Sequence, residues 1–252
     1  MIRLVGVSKR YGNFNAVANL DIEVQKGEVF GFLGPNGAGK TTTLRMLTGL
    51  IQPTTGEIFI GGFDVRKEAL EAKKIMGYIP DRPYLYEKLT AFELMRFVAG
   101  LNRLVRTDAA TRIPALLEQF GLAEWSDTLV ENYSHGMKQR LVFAAALLPR
   151  PSVLVVDEPM VGLDPQGMRL VKGVFIDLCR DEGMTVFLST HTLEVAEEVC
   201  QRIAILHRGE VVAMWNMATL RAATKAGDGR LEEVFFELTE TQGNDVTTQE
   251  AS

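Results

Sequence analysis

The chain has 252 residues, of which 46% are hydrophobic and 23% charged. This length and balance predict one large globular domain, or a domain with a subdomain. The longest apolar runs, residues 142–148 and 153–156, are too short to cross a bilayer, and the first residues do not read as a secretory leader. We therefore expect a cytoplasmic protein, at most peripheral to the inner face of a membrane.

Charge is distributed unevenly along the chain. The net charge is -5, but the last 22 residues hold six acids and no Lys or Arg, which leaves the rest at +1. A nearly neutral body gives no electrostatic case for nucleic acid binding, so we expect no nucleic acid partner. The two cysteines, Cys179 and Cys200, fall in helix-like contexts, which is typical of small core residues in a reducing compartment.

Strand and helix patterns follow one another along the chain. Residues 2–24 alternate apolar and polar side chains with Gly-Asn breaks, which predicts antiparallel strands. Strand-like apolar runs then occur at residues 28–33, 153–157, 185–189 and 202–206, and helical patterns at residues 40–49, 137–148, 166–180 and 193–200. This alternation predicts an α/β fold with a mostly parallel sheet and crossover helices.

The periodicity between residues 82 and 130 is helical without buried strand runs. We therefore predict a helical subdomain, at about residues 82–150, inserted into a domain that spans residues 1–230. Its first segment is aromatic, and these side chains fit either the subdomain's own core or a docking surface for a partner: Tyr84, Tyr86, Phe92 and Phe97. Residues 231–252 are predicted to be a C-terminal helix followed by an acidic, disordered tail.

The sequence GPNGAGKTT at residues 34–42 fits the phosphate-loop pattern, with a strand pattern before it and a helix pattern after it. Its glycines let the backbone wrap around phosphates, and the N–H groups of the following helix point at the anion. Lys40 is predicted to contact the β- and γ-phosphates, and Thr41 to bind magnesium through its hydroxyl. The predicted nucleotide contacts are Gly34, Pro35, Asn36, Gly37, Ala38, Gly39, Lys40, Thr41 and Thr42.

Two further motifs end buried strands with polar side chains. VLVVDEP at residues 153–159 ends in Asp157 and Glu158 at the sheet edge where ligands bind, although two such acids can also be merely solvated. We predict that Asp157 supports Mg²⁺ through water and that Glu158 accepts a proton from the attacking water. A lone histidine is more often structural, but His191 follows the next strand and is predicted to reach the γ-phosphate and the same water.

The sequence YSHGMKQR at residues 133–140 resembles the signature of ATP-binding cassette (ABC) proteins, and with it the motif order over about residues 2–213 resembles that family. The resemblance implies a phosphate-loop NTPase fold that binds ATP and Mg²⁺, with GLDP at residues 162–165 as the D-loop that contains Asp164. It implies that Tyr11 stacks on adenine with Val17 nearby. It also implies that Ser134 and Gly136 meet the γ-phosphate of the opposite subunit.

The chain departs from the family pattern at several positions. In the signature, Tyr133, His135 and Met137 stand in place of Leu, Gly and Gln, and we hypothesise that a charged His135 would add pH sensitivity. Asp81 stands where the family usually has Gln. A carboxylate still suits magnesium, so Asp81 is predicted as a ligand, although it is equally explicable as a turn residue before Arg82.

The single phosphate loop implies that the signature is donated in trans, in a homodimer or a heterodimer with a paralogue. Ser134 follows Gly34 by only 100 residues, which argues against the chromosome-maintenance branch of the superfamily. The motifs resemble cassettes of bacterial drug, antibiotic or lipid exporters, which implies an ATPase that drives a separate transmembrane permease by dimer closure and opening. The alternative is a soluble regulatory or translation-associated ATPase, and a kinase or GTPase is disfavoured by the signature.

Overall fold

The computed structural model describes residues 1–82 and 84–220. The predicted C-terminal helix and acidic tail from residue 231 lie outside the described residues. The strands are β1 (Ile2–Tyr11), β2 (Phe14–Val24), β3 (Val29–Leu33), β4 (Thr55–Ile60), β5 (Phe63–Asp64), β6 (Met76–Ile79), β7 (Val153–Asp157), β8 (Thr185–Thr190), β9 (Arg202–His207) and β10 (Glu210–Asn216). The helices are α1 (Lys40–Leu47), α2 (Ala69–Lys74), α3 (Ala91–Leu101), α4 (Arg106–Gln119), α5 (His135–Leu147), α6 (Pro165–Glu182) and α7 (Leu193–Val199).

The strands form two sheets. β1, β2, β4 and β5 make an antiparallel sheet in the order β2-β1-β4-β5, as the alternation at the start of the chain predicts. The second sheet has the order β10-β9-β3-β8-β7-β6, and all its pairs are parallel except β9 with β10. The prediction of a mostly parallel sheet with an antiparallel N-terminal sheet is therefore confirmed.

The central strands of the parallel sheet are apolar because both of their faces are covered. Every residue of β3, β7 and β8 is buried. The rings of Phe30 and Phe32 each lie against Phe187, with centroids 5.5 and 5.3 Å apart. This packing and the pairing of β7 with β8 fix the ends of the three strands relative to one another, and the site motifs lie at these ends.

The helices α3, α4 and α5 lie between β6 and β7, where a helical insertion is predicted. A capping box begins α3, in which the Thr90 hydroxyl and the Glu93 carboxylate each accept a backbone N–H of the other residue. Phe120 stacks on Phe143, which in turn packs on Phe175 of α6. Buried residues of α3, α4 and α5 belong to the same hydrophobic cluster as Leu154 and Val156 of β7, so these helices share a core with the sheet. The predicted subdomain limits, residues 82–150, stay a prediction.

The aromatic segment divides between core and surface. Phe92 packs against the core, whereas Tyr84 is 87% exposed, Tyr86 63% and Phe97 42%. Cys179 and Cys200 are buried, as predicted for core residues. Over residues 1–82 and 84–220, no helix is both long enough and apolar enough to span a membrane.

Candidate nucleotide-binding site

Three predicted motifs begin at the ends of three neighbouring strands. β3 pairs with β8 and β8 with β7, in a register that sets Leu33 beside Thr190 and Asp157 beside Ser189. The phosphate loop, the Asp-Glu pair and the Ser-Thr-His segment therefore meet at the carboxyl edge of one parallel sheet. Open α/β sheets bind their ligands at this edge.

The phosphate loop depends on glycine at two positions for different reasons. A Cβ added at Gly34 would lie 2.3 Å from the carbonyl oxygen of Leu206, because the loop passes directly over β9. Gly39, immediately before α1, has φ +108, which a side chain would strain. The loop therefore turns tightly into the N-terminus of α1, whose free N–H groups favour a bound anion.

The Lys40 side chain is buried, with 6% of it exposed. Its Nζ donates to the carbonyl oxygens of Gly34 and Pro35 at 2.6 and 3.2 Å and lies 3.7 Å from Oε1 of Glu158. Burial lowers the pKa of the Lys40 ammonium, and the carboxylates of Glu158 and Asp157 oppose that shift. The lysine is thus held by oxygen atoms at the position where phosphate oxygens would be bound.

The two predicted catalytic side chains are in contact. Oε1 of Glu158 lies 2.9 Å from Nδ1 of His191. The Glu158 backbone has φ +48, and its N–H donates to the Ser189 carbonyl at 3.0 Å. A non-glycine residue in this region costs about 1 kcal/mol or more, so the surrounding structure must stabilise the conformation. The sequence prediction that Lys40, Glu158 and His191 converge at one sheet edge matches this geometry.

Asp157 is 1% exposed, and within the described residues neither carboxylate oxygen has a hydrogen-bond partner of good geometry. Burial raises the pKa of Asp157, the hydroxyls of Ser189 and Thr41 lower it in part, and the charges of Asp81 and Glu158 raise it further. An unsatisfied buried carboxylate beside a threonine hydroxyl fits Mg²⁺, which prefers oxygen ligands. No group of three or more His, Cys, Asp or Glu in the described residues could hold a metal ion, so the fit requires phosphate or water oxygens as well.

A cleft of about 370 Å³ lies over the phosphate loop. Its lining residues are Phe14, Ala16, Pro35, Asn36, Gly37, Gly39, Lys40, Thr41, Thr42, Asp81 and Glu158. Asp81 is thus placed at the cleft, as its predicted role requires. Tyr11 and Val17 are not among the lining residues: the Tyr11 ring is covered by the Lys9 ammonium at 5.2 Å, and Val17 is 1% exposed.

Phe14 is an aromatic side chain of the cleft that sequence reasoning missed. It is 63% exposed and lines the cleft, and it pairs with Tyr11 across the tight turn between β1 and β2. The only signal in the sequence was a second aromatic residue in YGNF. The adenine-stacking role of Tyr11 stays a prediction, and Phe14 is a second candidate for contact with the base.

The signature residues lie away from this cleft. Ser134 caps α5, with its Oγ accepting from the Met137 N–H at 3.2 Å. Gly136 and His135 both lie against Gly162 of the D-loop: a Cβ added at Gly162 would lie 1.8 Å from the His135 ring. Ser134 and Gly136 therefore do not join Lys40 within one chain.

Asp164, the predicted nucleotide-site residue of the D-loop, also has a structural role. Its Oδ1 accepts from the Gly167 N–H at 2.8 Å and caps α6, with Pro165 in the first turn. Asp164 does not line the cleft over the phosphate loop. Its contact with nucleotide stays a prediction.

Comparison with known proteins agrees with this geometry. Residues 17–161 match the family model described as ABC transporter. The chain is 38% identical over 214 residues to the linearmycin resistance ATP-binding protein LnrL of Bacillus subtilis (strain 168), covering 85% of this chain and 68% of that protein. Among solved structures, an ATP-binding subunit of an ABC transporter matches with a TM-score of 0.86 and 32% identity over 94% of this chain and 99% of the other.

A second solved structure is the dimeric ATP-binding cassette MJ0796 in a post-hydrolysis state bound to ADP and Pi. It matches with a TM-score of 0.76 and 27% identity over 86% of this chain and 99% of the other. The family match covers the phosphate loop, the signature and the Asp-Glu pair, which are the motifs that build the cleft and the N-terminus of α5. The chain therefore belongs to the ABC transporter family and is an ATP-binding, ATP-hydrolysing subunit.

Proposed function

We propose that this chain energises a membrane transporter in the direction of export, as one half of an ATP-driven dimer. The observation that carries the proposal is the separation of two half-sites: Lys40 and Glu158 lie at the phosphate-loop cleft, whereas Ser134 caps α5 outside it. A head-to-tail dimer would bring the signature of each copy over the cleft of the other. The dimeric MJ0796 cassette supports the dimer, and the resistance protein LnrL supports a role in export.

Each half-site would act on ATP through distinct groups. The loop amides and the Lys40 ammonium bind the β- and γ-phosphates, aided by the N-terminus of α1. Thr41 and Asp157, with Asp81 at the same cleft, would hold Mg²⁺, which neutralises charge on the phosphates when bound. Glu158 accepts the proton of the attacking water, and His191, at 2.9 Å from Glu158, orients that carboxylate and the γ-phosphate.

The permease would dock on the aromatic surface. We define the aromatic groove as a cleft of about 820 Å³ lined by Tyr84, Leu85, Tyr86, Glu87, Lys88, Leu89 and Phe97. Tyr86 and Phe97 meet edge to face at 5.2 Å, and both are exposed. Exposed aromatic side chains at a concave surface are typical of protein interfaces. Docking here would hold the chain at the inner face of the membrane.

The dimer is tested with Glu158→Gln, which keeps the side chain's size but removes the base. With ATP and Mg²⁺, light scattering behind a sizing column should give twice the 27.9 kDa of the chain. Glu158→Gln combined with Lys40→Ala should remain a monomer, because the phosphate contact of Lys40 is lost. Glu158→Gln combined with Ser134→Arg should also remain a monomer, because the arginine side chain blocks the signature. A monomer at every concentration of Glu158→Gln would refute the ATP-driven dimer.

The membrane partner is tested by purification from detergent-solubilised membranes. A polytopic protein should be retained by the wild type and lost with Tyr84→Ser combined with Tyr86→Ser. Leu70→Ser is the control, because Leu70 is also exposed, at 77%, but does not line the aromatic groove. Retention of soluble proteins alone would instead favour a regulatory ATPase without a membrane partner.

A further inference from the structure

The aromatic groove and the signature helix are connected through the backbone. The N–H of Val130 donates to the Leu89 carbonyl at 2.9 Å, and the N–H of Glu131 donates to the Glu87 carbonyl at 3.0 Å. The segment that leads into Ser134 is therefore hydrogen bonded along the segment that forms one wall of the groove. Displacement of either segment must displace the other or break these bonds.

Two ion pairs begin at the same wall of the groove: one reaches α5, and the other reaches the segment before Ser134. Lys138 Nζ lies 2.5 Å from Glu87 Oε1, and Lys88 Nζ lies 2.5 Å from Glu131 Oε2. The Lys138 and Glu87 side chains are 19% and 55% exposed, and those of Lys88 and Glu131 are 83% and 32% exposed. Because the Lys138 ammonium is less exposed than that of Lys88, solvent should screen its pair less.

Lys138 also lies where its ion pair with Glu87 can orient the first turn of α5, which contains the signature residues. Its backbone N–H donates to the Ser134 carbonyl at 2.9 Å, so it lies one helical turn after the residue that caps α5. The hydrogen bond from Lys138 lowers the pKa of Glu87, so this contact favours the charged form of the carboxylate. Loss of Glu87 would remove the ion pair that joins the first turn of α5 to a lining residue of the groove.

We propose that the Glu87–Lys138 ion pair is a positioning contact: it fixes the first turn of α5 relative to the aromatic groove, and so sets how Ser134 of one copy meets the γ-phosphate bound by the other. This inference rests on the proposed dimer. Neither residue touches the cleft over Lys40, so their effect falls on the assembled dimer and not on binding of nucleotide to the single chain. A protein docked on Tyr84 and Tyr86 would act on the signature through Glu87.

The test compares Glu87→Gln and Lys138→Met with the charge-swapped double variant Glu87→Lys with Lys138→Glu. ATPase turnover of the full chain should fall by about three- to tenfold in each single variant, with the KM for ATP within about twofold of wild type. The swapped pair should recover most of the turnover, because it restores the contact with reversed charges. Rescue of this kind distinguishes positioning from a general loss of stability.

A matched control exists in the same chain. Lys172→Met removes a pair between α6 and α7 in which the Lys is 19% exposed and the Glu 58% exposed. It should change turnover by less than about twofold. An equal loss in Lys172→Met, or single variants with wild-type turnover, would overturn the inference.

Hydrogen exchange provides an independent readout. In Glu158→Gln, addition of ATP and Mg²⁺ should alter exchange of the amides of residues 84–89, and Lys138→Met in that background should reduce the change. If Glu158→Gln dimerises but exchange at residues 84–89 does not respond, the positioning role fails and the dimer stands. If it does not dimerise at all, the proposed function fails first.

Discussion

Replacement of Gly34 with alanine should slow ATP hydrolysis even at temperatures where the fold remains intact. The added Cβ would lie 2.3 Å from the Leu206 carbonyl oxygen and 3.1 Å from the Ala38 Cβ, whereas ordinary contacts begin at 3.4 Å. β9 is held on both sides, by β3 and β10, so the phosphate loop is the part that must shift, by about 1 Å. Lys40 should move with the phosphate loop, because its Nζ donates a hydrogen bond to the Gly34 carbonyl oxygen at 2.6 Å.

A misplacement of about 1 Å at reacting groups reduces turnover by about 100-fold, which corresponds to about 2.7 kcal/mol in the barrier. Overpacking of this kind destabilises a fold by about 1–3 kcal/mol. Phosphate release at saturating ATP and Mg²⁺, well below the unfolding temperature, measures the first effect, and thermal unfolding measures the second. Turnover within twofold of wild type in Gly34→Ala would refute the reasoning.

The matched control is Gly173→Ala on α6. Its added Cβ would meet nothing within 4 Å, and its φ is not in the left-handed region. Alanine in a helix is favoured over glycine by about 1 kcal/mol, so this variant should be slightly more stable and fully active. It separates the effect of a clash from the effect of an added methyl group.

Three further outcomes are expected. Phe14→Ala should weaken ATP binding by about 1–3 kcal/mol while Phe14→Tyr retains it, and an unchanged Kd for a fluorescent ATP analogue would remove Phe14 from the site. Burial raises the pKa of Asp157 above its unfolded value of about 3.9, so ionisation of this carboxyl opposes folding as pH rises. Without ligand, Asp157→Asn should therefore have a higher Tm than wild type at pH 8, and the difference should vanish below about pH 4. A lower Tm for this variant at pH 8 would contradict this. Gly162→Ala should lower turnover because its Cβ would lie 1.8 Å from the His135 ring, and His135→Gly in the same chain should recover part of it; no loss in the single variant would exclude the contact.

The sequence predicts the sheet and most of the cleft because both depend on local patterns. The run VLVVD is apolar throughout since both faces of β7 are covered, and its polar end identifies Asp157 and Glu158. The helix predicted at residues 137–148 begins two residues earlier, at His135, because the Ser134 hydroxyl caps it. Because Ser134 also belongs to the signature motif, the sequence analysis assigned it a functional role and not a helix cap.

The remaining features depend on contacts between distant residues. The wall formed by Phe14 follows from the path of the hairpin between β1 and β2, whose pairing shifts register near Lys9 and Arg10. The contact of His135 with Gly162 joins residues that no local periodicity connects. The pairing of Glu87 with Lys138 likewise requires the helical insertion to fold back on itself. Such contacts are set by tertiary packing and leave little trace in a single sequence.

The two half-sites of one chain are linked through a short segment. Residues 158–164 begin with Glu158 at φ +48 and end with Asp164, which caps α6. Between them, Gly162 at φ +78 lies against the ring of His135 and the backbone of Gly136. Residues 158–162 therefore connect the Glu158 backbone to the first turn of α5. In the proposed head-to-tail dimer that turn serves the opposite cleft, so the proposal predicts coupled rather than independent hydrolysis at the two sites.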